Sequence, residues 1–109
     1  MIATDPAAAV IGRPVSELVT PCLTLDLDKF ERNAAAISGY LREHGVAWRP
    51  HAKGHKSPIL ARRQMELGAI GITVAKVGEA EVMVEGGIPS ILLVTQQASR
   101  ERLDRVARL

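Results

Sequence analysis

Aromatic side chains are almost missing from this chain: Phe30, Tyr40 and Trp48 are the only three in 109 residues. A surface that reads single-stranded nucleic acid needs stacking platforms, so that class of function is disfavoured at the outset. Cysteine is scarcer still. Cys22 stands alone, which excludes an internal disulfide, and its strand-like surroundings read as those of a small buried thiol. No apolar run approaches the roughly 20 residues of a bilayer-spanning helix. Met1 to Ile11 lacks the basic start of a signal peptide and is interrupted by Asp5. The expectation is a cytoplasmic protein with no membrane partner. A Gly-x-Gly-x-x-Gly following a strand is also missing, which weighs against a dinucleotide-binding sheet.

What is there can bury a core: 47% of the residues are hydrophobic and the net charge is only +2. Residues 1–19 read as an irregular or loosely helical lead-in, and Thr20-Pro21 introduces a strand rich in threonine and leucine, Cys22 to Leu27. Asp28, with Glu31 three residues on, makes a capping-box pattern. Phe30, Ala34, Ile37 and Leu41 then share one helical face, and Gly45 ends the helix. Val46 to Lys53 is the next strand. Pro50 removes a ladder donor inside it, so a bulge or an early end is expected. Ser57-Pro58 is a cap followed by proline at the first helical position, opening a helix that runs to Leu67 and stops at Gly68. Ala69 to Ala75 is a short apolar strand, Lys76 to Glu85 a third helix closed by Gly86-Gly87, and Ser90 to Val94 a strand apolar enough to be buried on both faces. Ser99 to Leu109 reads as a last helix without a terminal cap.

Strands separated by single helices run parallel, with right-handed crossovers. Their starts near 46, 69 and 90 repeat at a little over twenty residues. The fold class expected is α/β, the N-terminal part of a (β/α)8 TIM-type barrel over residues 28–109. A closed barrel takes roughly 250 residues, so the barrel is expected to be incomplete here. In such barrels the chemistry sits at the carboxyl ends of the strands.

Charge is concentrated at one such strand end. Between positions 42 and 63, Arg42, Arg49, Lys53, Lys56, Arg62 and Arg63 face only Glu43, a local balance of +5 that leaves −3 for the rest. A cluster of this kind suits a phosphate, a carboxylate or a nucleic-acid backbone. Alternation along the strand puts Arg49, His51 and Lys53 on one face and Trp48, Pro50 and Ala52 on the other. A lysine among like charges and buried from water favours its neutral form, which attacks carbonyls to give a Schiff base. Solvated loop cations are the equal alternative, and Lys56 competes with Lys53 by charge alone.

Three stretches carry a resemblance. They are Thr20-Pro21-Cys22-Leu23-Thr24-Leu25-Asp26-Leu27-Asp28, then Val46 to Pro58 with its Arg49-Pro50-His51-Ala52-Lys53-Gly54-His55-Lys56 core, then Gly71-Ile72-Thr73-Val74-Ala75-Lys76-Val77-Gly78-Glu79-Ala80-Glu81. Together, over Thr20 to Val94, they resemble the N-terminal part of the D-threonine aldolase and D-serine dehydratase family, among the alanine-racemase-like, fold-type III enzymes that use pyridoxal 5′-phosphate. The Arg-Pro-His-x-Lys-x-His-Lys motif makes the resemblance specific, because it sets a proline inside a strand with five basic residues at fixed offsets.

The resemblance implies a barrel whose first strand ends in the lysine that binds the cofactor covalently. Lys53 matches that position as the catalytic and cofactor-binding residue, with Arg49, His51, His55 and Lys76 lining the site. The bound cofactor is an electron sink. The implied substrate is a small D-amino acid. Aldolases of this type cleave its Cα–Cβ bond to glycine and an aldehyde; a D-serine dehydratase or an alanine-racemase-like activity is the alternative. The resemblance also implies a homodimer, a divalent metal held near the C-terminus, and phosphate-gripping loops late in the barrel. Residues for the last two lie outside these 109, and no metal ligand is assigned. Residues 20–27 are expected to join a C-terminal β-domain that is absent here, and the 109 residues alone are expected to be inactive, without a tight cofactor site.

Plainer readings stand beside these. His51 and His55, four apart across a strand end, are not a helix-borne metal pair and are expected to tune or enclose the lysine. Lys76 offers either a contact in the site or an ion pair inside the barrel. Glu79 suits the dipole of its helix, and Arg49 is expected to pair with a carboxylate from another strand. Two other classes remain: a non-catalytic pyridoxal-phosphate-binding protein, and a small basic interaction module. Cations gathered at a strand end, instead of spread over a helix face, count against the module and against a nucleic-acid partner.

Overall fold

Three helices in succession stop in the same way, and each stop sets where the next extended segment begins. The computed structural model describes residues 10–109. Helix α1 spans Leu27–Glu43, and beyond it the N–H of Gly45 donates to the Arg42 carbonyl at 3.0 Å while that of Val46 donates to the Leu41 carbonyl at 2.8 Å. Helix α2, Pro58–Glu66, ends with the same two bonds from Gly68 and Ala69. So does α3, Val77–Glu85, from Gly87 and Ile88. This double closure satisfies carbonyls of the last turn and needs a left-handed residue at its centre. Gly68 shows why that residue is glycine. Its φ is 107°, and a Cβ there would run into the Ser38 side chain.

The segments so started lie side by side and parallel. Strand β1, Ile72–Val74, pairs with β2, Ile91–Leu93, with Ile72 opposite Ile91 and Val74 opposite Leu93. On the other flank of β1 runs the chain from Trp48 to Ala52. The Ile70 N–H donates to the Trp48 carbonyl, the Thr73 N–H to the Pro50 carbonyl, and the Ala52 N–H to the Thr73 carbonyl, each at 2.8 Å. The expected strand from Val46 to Lys53 is thus present only as two isolated bridges, Trp48 with Ala69 and His51 with Thr73, and the register slips by one residue between them. Pro50 is the cause. Its carbonyl faces β1, so its missing N–H falls on that same side, between the two bridges, and the extra residue at Ile70-Gly71 forms a bulge.

The other expected strand is not formed. Cys22 to Asp26 has no regular structure, the whole stretch is exposed, and Cys22 presents a free, exposed thiol instead of a buried one. Strand pattern alone forms no ladder, and among the described residues nothing lies alongside to take its hydrogen bonds. The cap of α1 also differs from expectation. Asp26, not Asp28, accepts from the Lys29 N–H at 3.0 Å and pairs with the same lysine's ammonium. Glu31, released from a capping role, bonds to Arg63 of α2. At α2 the expected cap is present, Ser57 Oγ accepting from the Leu60 N–H with Pro58 at the first helical position. Helix α4, Arg100–Val106, starts from its Ser99 cap and stops short of the expected Leu109. The first nine residues of the expected lead-in lie outside the described ones; its remainder holds one short 3₁₀ turn, Val15–Glu17.

Helices α2 and α3 pack on one face of this sheet. Ala52, Ile72 and Val74 from the sheet, Ala61 from α2, and Ala80 and Met83 from α3 form the buried cluster, with Ile88 closing its edge and Ile91 and Leu93 packed against it. Alanine at 52, 61 and 80 lets helix and sheet backbones come close. Alternation places His51, Thr73 and Leu92 on the opposite face. The architecture is a mixed α/β arrangement of parallel segments each followed by a helix, as expected. The chain exposes 8235 Å², against about 5,900 Å² for a compact monomer of this mass.

Met83 is the largest test of that cluster. It is fully buried, whereas its neighbour Val82 is 45% exposed. Met83→Ala is expected to cost about 2–5 kcal/mol and Val82→Ala within about 0.5 kcal/mol, as read from urea denaturation midpoints.

Candidate active site

The chain between Ala52 and Ser57 makes one tight turn at the carboxyl end of the first parallel segment. The Lys56 N–H donates to the Ala52 carbonyl at 2.8 Å. Both neighbouring histidines are used to hold that turn. His51 Nδ1 accepts from the Lys53 N–H at 3.1 Å, and His55 Nδ1 accepts from the Ser57 N–H at 3.0 Å. They brace the backbone around Lys53, where the sequence suggested that they enclose or tune its amine. His55 Nε2 and Gln64 Oε1 are buried without a hydrogen-bond partner. Burial lowers the pKa of His55 below its ordinary 6.5.

A carboxylate that the sequence offered only to a helix dipole is the hub of the region. Glu79, in the first turn of α3, accepts from the Ala75 N–H at 2.9 Å and from the Lys76 N–H at 3.3 Å. Its other oxygen lies 3.5 Å from Lys56 Nζ. Its side chain is 9% exposed, and the backbone donor of Ala75 leads the effects that hold its pKa below the usual carboxylate value. One side chain therefore ties the end of β1, the start of α3 and the Lys53 turn together. The four-residue reach from Ala75, and the acidic residue three after the helix cap, are the signals in the sequence that point to it.

The cation cluster resolves into separate jobs. Arg62 donates to the Gly86 carbonyl at the end of α3, Arg63 bonds to Glu31 and Glu66, and Lys56 pairs with Glu79. Arg49 does not meet a carboxylate. Its guanidinium donates to the Ser90 carbonyl at 3.2 Å and to Ser90 Oγ at 3.0 Å, at the amino end of β2 and away from the turn. Gly71 leaves room for it, since an added Cβ would collide with the guanidinium. Among the described residues the Lys53 amine makes neither an ion pair nor a hydrogen bond, and Lys53 is exposed, so the burial expected for it is not met. Lys76, also exposed and without an ion pair among the described residues, stands at the same end of the sheet, one strand over. It lines a groove of about 410 Å³ with Gly78, Thr95, Gln97, Arg102 and Arg105. The structure thus gathers Lys53, His51, His55 and Lys76 at the carboxyl ends of adjacent parallel segments and leaves Arg49 out.

The D-threonine aldolase of Filomicrobium marinum superimposes on this arrangement with a TM-score of 0.83 and 45% identity, over 86% of this chain and 25% of that one. The D-threo-3-hydroxyaspartate dehydratase of Delftia sp. HT23 follows it with a TM-score of 0.78 and 36% identity, over 84% and 24%. In sequence, the 3-hydroxy-D-aspartate aldolase of Paracoccus denitrificans is 41% identical over 102 residues, 93% of this chain and 26% of the relative. The chain belongs to this D-threonine aldolase and hydroxyaspartate dehydratase family. It spans about a quarter of the length of the relatives it matches. No family model matches the chain.

Family relatives include a dehydratase solved in a metal-free form. Among the described residues of this chain no three histidine, cysteine, aspartate or glutamate side chains converge, and both motif histidines direct Nδ1 at the backbone. Among the same residues no helix is long and apolar enough to cross a membrane.

His55 makes the turn sensitive to acid. Its pKa is lower folded than unfolded, so the unfolded chain takes up the proton first. The stability it contributes is complete above the ordinary 6.5 and is lost as pH falls through the lower folded value. Urea midpoints measured from pH 7.5 down to 5 are expected to decline, and to decline less steeply in His55→Gln; parallel declines in the two proteins would remove His55 as the source.

Proposed function

We propose that this chain carries the lysine of a pyridoxal 5′-phosphate-dependent lyase acting on small D-amino acids, with Lys53 as the residue that binds the cofactor. The observation that carries the reading is the state of one amine. Four of the six cations between positions 42 and 63 are bound internally, whereas Lys53, on a braced turn at a strand's carboxyl end, has no partner among the described residues. The cofactor aldehyde needs a reachable amine that is not drawn into an ion pair, and among the described residues Lys53 fits that need. Bound there, pyridoxal phosphate would supply a conjugated sink for the electrons of a bond broken at the substrate Cα.

The chain's own residues divide the remaining work. His51 fixes the backbone N–H of Lys53, and His55 anchors the far side of the turn through Ser57. Lys76 stands at the neighbouring strand end, placed for a substrate or cofactor anion. The relatives named as aldolases support a retro-aldol cleavage: the β-hydroxyl loses its proton and becomes the carbonyl of an aldehyde, the Cα–Cβ bond breaks, and Cα takes a proton to give glycine. The Delftia dehydratase supports loss of water from Cβ as the second reading. A (β/α)8 barrel, a homodimer, a divalent metal held by other residues, and a role for residues 20–27 in pairing with further β-structure complete the proposal.

Incubation with pyridoxal 5′-phosphate, borohydride reduction and peptide mapping tests it, since only a covalent lysine–carbonyl adduct is trapped. Lys53 is expected to be the dominant labelled lysine, and Lys53→Ala to lose that label while keeping its circular dichroism spectrum. Dominant labelling of Lys56 or Lys76 would overturn the assignment.

A further inference from the structure

Two lysines lie three residues apart on the same turn, and only one of them is held. Lys56 has φ 52°, the only positive value at a non-glycine residue among the described residues. Side chains with a Cβ are strained in that region, and a glycine or asparagine would settle there more easily. Instead the position carries a lysine whose ammonium reaches a carboxylate on a different helix. That partner, Glu79, is nearly buried and is itself fixed by the Ala75 and Lys76 N–H groups, so it is a rigid anchor. The Lys56 backbone closes the turn through Ala52. The titratable and charged groups around the pair are few: His55 is turned to Ser57, Lys76 is exposed, and Glu79, reaching over from α3, is the one carboxylate paired with the turn among the described residues.

We propose that Glu79 is a positioning residue for Lys53: by holding the Lys56 ammonium it shapes the 52–56 turn and directs carbonyl chemistry to Lys53 instead of Lys56. This rests on the reading of Lys53 as the cofactor lysine. The logic is one of selection between equals. Both amines sit at the same strand end, both side chains are exposed, and an aldehyde arriving there meets either. An ion pair with an anchored carboxylate keeps one of them withdrawn while it stiffens the backbone that presents the other.

The experiment measures borohydride-trapped labelling by pyridoxal 5′-phosphate at Lys53, relative to Lys29 on α1 as an internal reference. Glu79→Gln separates the two duties of the side chain, because its amide oxygen still accepts the Ala75 and Lys76 N–H groups while the charge for Lys56 is gone. A fall of about threefold to fivefold in the Lys53 to Lys29 ratio is expected, the range of a partly exposed pair. Lys56→Met should match it, Lys56→Arg should keep the parent ratio, and the double variant Glu79→Gln/Lys56→Met should fall no further than either single change. An unchanged ratio in Glu79→Gln, or equal loss in Lys56→Arg and Lys56→Met, would overturn the proposal. Amide exchange gives a second readout that needs no cofactor. The Lys56 N–H is expected to exchange about threefold to fivefold faster in Glu79→Gln while the Ala75 and Lys76 amides keep their protection; unchanged exchange at Lys56 would likewise overturn it. If the parent chain shows no preference for Lys53, the cofactor assignment fails by itself, and the exchange result still decides whether Glu79 holds the turn.

Discussion

Everything in this structure hangs on β1, because its backbone is bonded on both flanks. Thr73 gives its N–H to Pro50 and takes one from Ala52, while Ile72 gives its N–H to Ser90 and Val74 takes one from Val94. A three-residue strand holds three parallel segments together in this way. The helices then add burial to an order that hydrogen bonding has set, with Met83 and Ala80 of α3 and Ala61 of α2 pressed on Ile72 and Val74. The consequence reaches the site directly. Ala52 is both a ladder residue and the acceptor that closes the Lys53 turn, so pairing with β1 and presentation of the lysine are one constraint.

Local chemistry in the sequence was legible, and partners at a distance were not. Ser57-Pro58, the glycines that close α1, α2 and α3, and the apolar stretches of β1 and β2 all act within four or five residues, and each was found where local rules put it. Pro50 was readable as a defect, and the defect became a one-residue slip. Cys22 to Leu27 forms no ladder here because composition says only that a strand would be stable, and a ladder needs a neighbour as well. Asp26 displaced Asp28 as the cap of α1 because two aspartates two residues apart both suit the role, and the Lys29 ammonium adds to only one of them.

The site divides along the same line. The position of Lys53 at a strand's carboxyl end was legible in the sequence. The pairings that leave it unbound were not, since Lys56 meets Glu79 across 23 positions, Arg63 meets Glu31 across 32 and Arg49 meets Ser90 across 41. A run of like charge reads as one object in sequence, and in space it is several. The guanidiniums clamp helix to helix or strand to strand, and the positive field that remains at the turn belongs to few groups.

The repeated helix closure has a further effect on where this architecture tolerates change. At the amino end of the sheet, each helix passes into its next segment through a closure of fixed length, with the first residue of the segment already committed as a donor. An inserted residue there would shift the phase of the strand and turn its buried side chains to the wrong face. The opposite end has no repeated closure: five residues separate the first segment from α2 in the turn closed on Ala52, two separate β1 from α3 under Glu79, and six separate β2 from α4. Length and composition can therefore drift most freely between β2 and α4, where neither a helix closure nor the Glu79 carboxylate fixes the loop, while the register beneath stays untouched.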